Sequence, residues 1–245
     1  MRIPRIYQDI KLSPGITIQL DKPAANHIVN VLRLSTNDSL IIFNGEGGEY
    51  SSKIISAVKR KVSIKLEKFS AIEKESPLKI HLLQGISRGE KMDFSIQKTV
   101  ELGVSSITPI ITERCGVKLS KERWGKRLDH WQKIIISACE QCERNSLPQL
   151  FPISTLTDYF SFASNKNTLK LTLNPYAQNT LSRIKTPPQE IVLLIGPEGG
   201  LTDLEIQLAE KNNFKSLKIG SRILRTETAA LTVIAALQSR WGDLA

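Results

Sequence analysis

With three cysteines in 245 residues the chain is poorly furnished for a disulfide framework, and it has no uninterrupted run of about eighteen apolar residues to span a membrane. Residues 1–20 also lack the apolar centre of a signal peptide, so the cytoplasm is the expected compartment and no membrane partner is expected. There is no G-x-G-x-x-G and no Walker loop, which counts against dinucleotide and ATP enzymes. Metal ligands are scarce too. Cys139 and Cys142 form a C-x-x-C, but no second Cys or His pair stands at zinc spacing. They lie in a segment where Leu128, Trp131, Ile134, Ile135 and Ala138 recur at helical spacing, and Cys142 extends that stripe. Core packing is the expected role, with no metal.

Acids are the other shortage. Lys and Arg number 34 against 24 Asp and Glu, a formal charge of +10, which favours a polyanionic partner such as nucleic acid. The excess falls in residues 1–190, whereas residues 191–245 carry as many acids as bases. Arg114, Lys118, Lys121, Arg123, Lys126, Arg127 and Lys133 form the densest run, readable as a polyanion contact or as a solvated face.

Along the chain, short β-rich runs at 17–20, 39–43, 53–57 and 62–66 are punctuated by Pro14-Gly15, Asn37-Asp38 and Asn44-Gly45. That spacing predicts a small barrel with one helix over 24–32. Polar residues 70–76, followed by Pro77, read as a linker, so a domain over 1–72 precedes one over 73–245. A strand at 79–84, a helix over 92–102 ended by Gly103 and a strand at 106–111 then make a βαβ unit, and strands and helices alternate to the end, an α/β pattern.

The last fifth of the sequence carries the sharpest signal. A buried-looking strand, Ile191 to Ile195, runs into Gly196-Pro197-Glu198-Gly199-Gly200, and a second, Leu217 to Ile219, into Gly220-Ser221-Arg222-Ile223-Leu224-Arg225-Thr226-Glu227. Each loop sits at the carboxyl end of a strand, where open α/β sheets bind ligands. Thr202 and Glu205 form a capping box that opens a helix after the first loop. Arg222 and Arg225 gather before an apolar helix over 229–237, where a helix amino terminus disfavours cations, so they serve something other than local stability.

These two segments resemble the paired cofactor motifs of SPOUT-superfamily RNA methyltransferases, and more narrowly those of the bacterial 16S rRNA (uracil-N3)-methyltransferase family. The likeness extends to Met1-Arg2-Ile3-Pro4-Arg5-Ile6-Tyr7, to His27 through Leu34, to Lys98 through Val104 and to Gln141-Cys142-Glu143-Arg144. Residues 151–190 align only loosely. The resemblance implies a PUA-like β-barrel followed by a SPOUT methyltransferase domain with a deep trefoil knot, and a homodimer.

It also implies an S-adenosylmethionine site held mainly by main chain, with Leu173, Ile195, Gly196, Glu198, Gly199, Gly200, Ile219, Gly220, Ile223, Leu224, Thr226 and Ala229 around the cofactor. Side chains at Gly196 or Gly220 are expected to fill the ligand's volume. The implied substrate is a uridine of 16S ribosomal RNA in the small subunit. Its N3 proton must leave, so Arg225 is expected to stabilise developing negative charge, with Glu198 or Glu227 as proton acceptor or as anchor for the arginine. Arg2, Arg5, Tyr7, His27, Arg33, Arg88 and Arg114 are the expected RNA contacts. A non-catalytic RNA-binding or ribosome-assembly factor, and a transfer-RNA methyltransferase of the same fold, remain the alternatives.

Overall fold

The computed structural model describes residues 3–58, 61–117, 120–162 and 168–244. They pack into two compact units, Met1–Glu75 with Ile136–Leu147, and Ser76–Ile135 with Pro148–Ala245. Residues 136–147 thus join the first unit, a return of the chain that a linear division at residue 72 does not contain.

The first unit holds β1 (Arg5–Tyr7), β2 (Thr17–Gln19), α1 (Lys22–Asn26), β3 (Ser39–Phe43), β4 (Glu49–Val58) and β5 (Lys61–Ser70). The strands form a five-stranded sheet in the order β1-β3-β4-β5-β2, antiparallel except where β1 meets β3. Period-two alternation buries Leu40, Ile42, Ile54, Ile64 and Leu66, while Ile55 next in β4 faces out. The helix expected over 24–32 is α-helical only to Asn26. Asp21 Oδ1 caps it by accepting from the Ala24 N–H at 2.7 Å, but residues His27–Val31 widen into a π turn that closes on the His27 carbonyl. That turn tucks Ile28 into the core and leaves His27 and Arg33 exposed, Arg33 at φ 55°.

The second unit begins with β6 (Lys79–Gly85), α2 (Glu90–Glu101) and β7 (Ser106–Ile111), after which α3 (Lys121–Cys142) carries the chain to the first unit. It resumes with β8 (Gln149–Leu150), β9 (Ser154–Thr155), α4 (Leu156–Phe162), β10 (Leu169–Leu173), β11 (Glu190–Ile195), α5 (Asp203–Lys211), β12 (Lys215–Leu217) and α6 (Thr226–Trp241). Its strands run in the order β12-β10-β11-β6-β7-β8, with β9 also on β7, and every pair is parallel. Five consecutive buried residues, Ile191 to Ile195, are what a parallel strand covered on both faces requires. His81 of β6 stacks on Phe151 at 5.3 Å, and burial pushes its imidazole down to about 4.

Three local expectations shift. The last strand ends at Leu217; the Lys218 N–H then donates to the Asn179 carbonyl (2.8 Å) in an isolated parallel bridge with Thr180, and 219–225 is loop. The final helix starts earlier and ends later than 229–237, since Thr226 can serve as its first residue. In α3 it is Cys139, fully buried, that continues the stripe of Trp131, Ile135 and Ala138; Cys142 is only half-buried. Burial pushes the Cys139 thiol up to about 12, so it stays protonated as a small apolar side chain.

Candidate functional site

The carboxyl ends of β6, β10, β11 and β12 deliver four loops to one edge of the second unit. Three of them wall a cavity of ≈ 450 Å³: residues 173–176, residues 195–201, and Leu217 with Ile219, Arg222, Ile223, Leu224 and Thr226. All the residues expected around a cofactor line it except Gly220, which turns the backbone at φ 69° alongside. Asn174, Tyr176, Leu201, Ile206, Arg114 and Arg222 line it as well.

Its glycines meet the loop's own backbone and that of a neighbouring strand. A Cβ on Gly196 would lie 2.8 Å from the Leu201 nitrogen and 2.9 Å from the Gly200 carbonyl carbon. The glycine is therefore required for the loop to close on itself. Gly200, at φ 69°, makes the turn that allows the closure, and its N–H donates to the Pro197 carbonyl at 2.8 Å. Behind the loop, a Cβ on Gly85 would come within 2.5 Å of the Pro197 nitrogen, so β6 touches the loop backbone directly.

A buried polar relay fixes the two glycine loops to each other. Thr226 Oγ1 donates to the Gly196 carbonyl at 2.6 Å and accepts from Gln84 Nε2 at 3.1 Å. Gln84 is fully buried and also donates to the Gly85 carbonyl at 3.1 Å, while its Oε1 has no partner among the described residues. A second clamp works from outside. Arg114 Nη1 donates to the Gly199 carbonyl at 3.0 Å, and Glu198 accepts from the Arg88 N–H at 3.0 Å with Lys91 Nζ at 3.6 Å. Partial burial alone would raise the Glu198 carboxyl, but the Arg88 and Glu198 amides together with Lys91 hold it below the usual carboxylate range. The capping box is present as expected, with Thr202 Oγ1 accepting from the Glu205 N–H and Glu205 accepting from the Thr202 N–H.

Arg225 is the exposed N-cap of α6 and, among the described residues, its side chain has no hydrogen-bond or ion-pair partner. The expected anchoring of Arg225 by Glu198 or Glu227 is therefore absent among the described residues. Glu198 is held by Arg88 and Lys91 instead, and Glu227 Oε2 is buried without a partner among the described residues. Core packing does not account for the apolar residues at the mouth either, because Ile223 is 77% exposed and Tyr176 80%.

The expected RNA contacts divide. Arg2 lies outside the described residues, as do Lys118 and the side chain of Lys121. Arg5 is buried in the first unit, where Nη1 donates to Glu49 at 2.6 Å, Nη2 donates to Asn145, and the guanidinium sits over Phe43. Tyr7 is half-buried against Phe43, with burial and Asp9 raising its phenol, whereas His27, Arg33, Arg88 and Arg114 are exposed.

Gln84, Gly85 and the clamping role of Arg114 carry no local signal in the sequence. Each meets the glycine loop only through strand pairing or tertiary contact.

Residues 74–238 match the family model of the RNA methyltransferase domain, and residues 20–67 that of the RNA methyltransferase PUA domain. A parallel sheet with a loop-built cavity at its carboxyl edge is thus that of an RNA methyltransferase. Among relatives, the ribosomal RNA small subunit methyltransferase E of Buchnera aphidicola (from Schizaphis graminum) is 40% identical over 99% of this chain and 98% of its own length. That of Rickettsia conorii is 34% identical over 96% and 95%. The chain belongs to the ribosomal RNA small subunit methyltransferase E family. Two solved structures cover all of both chains. One is a Legionella pneumophila methyltransferase in complex with the cofactor SAM, at 43% identity and a TM-score of 0.96. The other is the Neisseria gonorrhoeae ribosomal RNA small subunit methyltransferase E bound to S-adenosyl methionine, at 40% and 0.93.

Proposed function

We propose that the cavity binds S-adenosylmethionine and that the protein methylates N3 of a uridine in 16S ribosomal RNA of the small subunit. The carrying observation is the convergence of Leu173, the Gly196–Gly200 loop and the Ile219–Thr226 loop on one cavity, in a chain so close to relatives solved with that cofactor. The residues fit the group. A cavity of ≈ 450 Å³ is within the usual range for small-molecule sites, and it has apolar walls and loop main chain available for directional contacts.

When bound there, the cofactor supplies an electrophilic methyl group on a sulfonium; no metal is needed. The chain's own part is to hold the uracil edge and accommodate the charge left as N3 loses its proton. We assign charge stabilisation to Arg225, whose guanidinium is exposed and, among the described residues, uncommitted, with Glu227 as proton acceptor, its buried Oε2 having no partner among the described residues. Glu198, tied to Arg88 and Lys91, is assigned to holding the loop. Residues 1–72 are proposed as the RNA-binding domain, gripping through His27 and Arg33, and 73–245 as the catalytic domain reaching RNA through Arg88 and Arg114. Arg5 is left out, its guanidinium being buried and paired.

We also infer a homodimer working in the cytoplasm, supported by the exposed Tyr176 and Ile223 at the cavity mouth, and a trefoil knot in the carboxyl-terminal part. The knot is supported by the way late residues pin the 174–189 connection: Lys218 N–H to Asn179, and the Arg240 guanidinium to the Leu181 and Ile184 carbonyls, both at 2.7 Å. Calorimetric titration with S-adenosylmethionine tests the cofactor assignment. Saturable binding is expected, and absence of heat in an otherwise folded protein would favour a non-catalytic RNA-binding factor.

A further inference from the structure

A second concavity of the same unit shares Leu217 with the site above. A groove of ≈ 920 Å³ lies between residues 179–189 and the β10–β12 end of the sheet. Arg183, Lys185 and Lys215 line it, all three exposed, and among the described residues no carboxylate and no aromatic side chain does. Among the described residues none of the three forms an ion pair, and Arg183 reaches only Asn179 Oδ1 at 3.4 Å. Acids close in sequence are engaged elsewhere: Glu190 accepts from Thr168 Oγ1 (3.1 Å) and Glu210 from Ser216 Oγ (2.7 Å). A concave surface carrying cations of one sign without internal compensation concentrates anions.

The outer wall is built to stay in place. Asn179 is held by the Lys218 N–H, and the Leu181 and Ile184 carbonyls by Arg240, whose guanidinium lies over the Trp241 ring at 4.6 Å. Pro187 and Pro188 restrict the far end. Strand register gives the groove a direction. Lys215 pairs with Leu171 and Leu217 with Leu173, so Leu169, Lys215 and Leu217 share one face. Leu217 lines both this groove and the first cavity, so the groove leads along that face toward the candidate site.

We propose that the groove is a track for the phosphodiester backbone of a single-stranded segment of the substrate RNA, with Arg183, Lys185 and Lys215 meeting phosphates. The proposal rests on the reading of the substrate as RNA. Cations without aromatic platforms read charge rather than sequence, so the track orients the strand and leaves base choice to the methyl-transfer site.

The test is the full-length triple variant Arg183→Gln, Lys185→Gln, Lys215→Gln, with single-stranded RNA binding followed by anisotropy between about 50 and 300 mM salt. At roughly 0.7 per phosphate contact on a single strand, the slope of log K against log salt is expected to become shallower by about 2. The loss should be equal for two unrelated sequences, and affinity for S-adenosylmethionine and melting temperature should not change. The charge-conserving variant Arg183→Lys, Lys185→Arg, Lys215→Arg should restore the slope. An unchanged slope where the wild type binds RNA overturns the track and leaves the RNA reading standing. A wild type that binds no RNA at any salt overturns the RNA reading itself. Loss of tripolyphosphate binding with an unchanged RNA slope identifies a free-phosphate site and also overturns the track.

Discussion

Replacing Gln84 by leucine removes the origin of the relay that joins the two glycine loops, at nearly constant volume and without touching the cavity wall. The change deletes donors to Thr226 Oγ1 and to the Gly85 carbonyl, each at 3.1 Å in a fully buried site. Two such hydrogen bonds are worth about 1 kcal/mol each, and the acceptors left behind add a desolvation cost of about the same size. Against this, the substitution also removes Gln84 Oε1, which is buried without a partner among the described residues, so part of the loss is offset. The fold should lose about 1–2 kcal/mol. The loop should loosen as well, because the Thr226 hydroxyl is then free to rotate off the Gly196 carbonyl that it holds at 2.6 Å. Calorimetry is expected to show S-adenosylmethionine binding weakened about tenfold, equivalent to about 1.4 kcal/mol. Because Gln84 acts through Thr226, the Thr226→Val variant and the double variant should weaken binding by similar amounts, a strongly non-additive cycle. A cofactor affinity within twofold of wild type despite a lower melting temperature, or strictly additive losses, would refute the relay and reduce Gln84 to a packing residue.

Gly196→Ala is expected to destabilise by about 2 kcal/mol or more in thermal denaturation, because its Cβ meets loop backbone rather than solvent or a flexible side chain. Arg225→Ala should lower kcat about a hundredfold or more in a methyl-transfer assay, with cofactor affinity unchanged, since the residue does not line the cavity. His81 is held neutral by burial, its pKa about 4 against 6.5 unfolded. The unfolded state therefore binds the extra proton first, and stability is full above about 6.5 and falls toward pH 4, by up to about 3 kcal/mol. Urea unfolding of wild type and His81→Phe at neutral and acid pH should show this slope only in the wild type.

Much of this site is legible in the sequence because its backbone requirements are local. Gly200 needs φ 69°, Thr202 and Glu205 cap α5 from three residues apart, and Ile191 to Ile195 is apolar without alternation. What escapes is set by partners distant in sequence. Gln84 stands 142 residues from Thr226, and Arg114 stands 85 from Gly199, so neither carries a local mark of its role. The purpose of Gly196 is likewise visible only once Leu201 is seen against it. In the first unit, the basic stretch around Arg5 reads as a nucleic-acid grip until Glu49 and Asn145 are found on its guanidinium. The π turn at His27–Val31 follows from Ile28 reaching the core, and helical periodicity alone gives a regular helix there.

The decisive measurement is nucleoside mass mapping of 16S rRNA after purified protein and S-adenosylmethionine are incubated with small subunits from a strain lacking this enzyme. Appearance of a single N3-methylated uridine, abolished by Arg225→Ala, is the expected result. No methyl incorporation into 16S RNA, or a methyl group on a ribose hydroxyl or on transfer RNA, would contradict it.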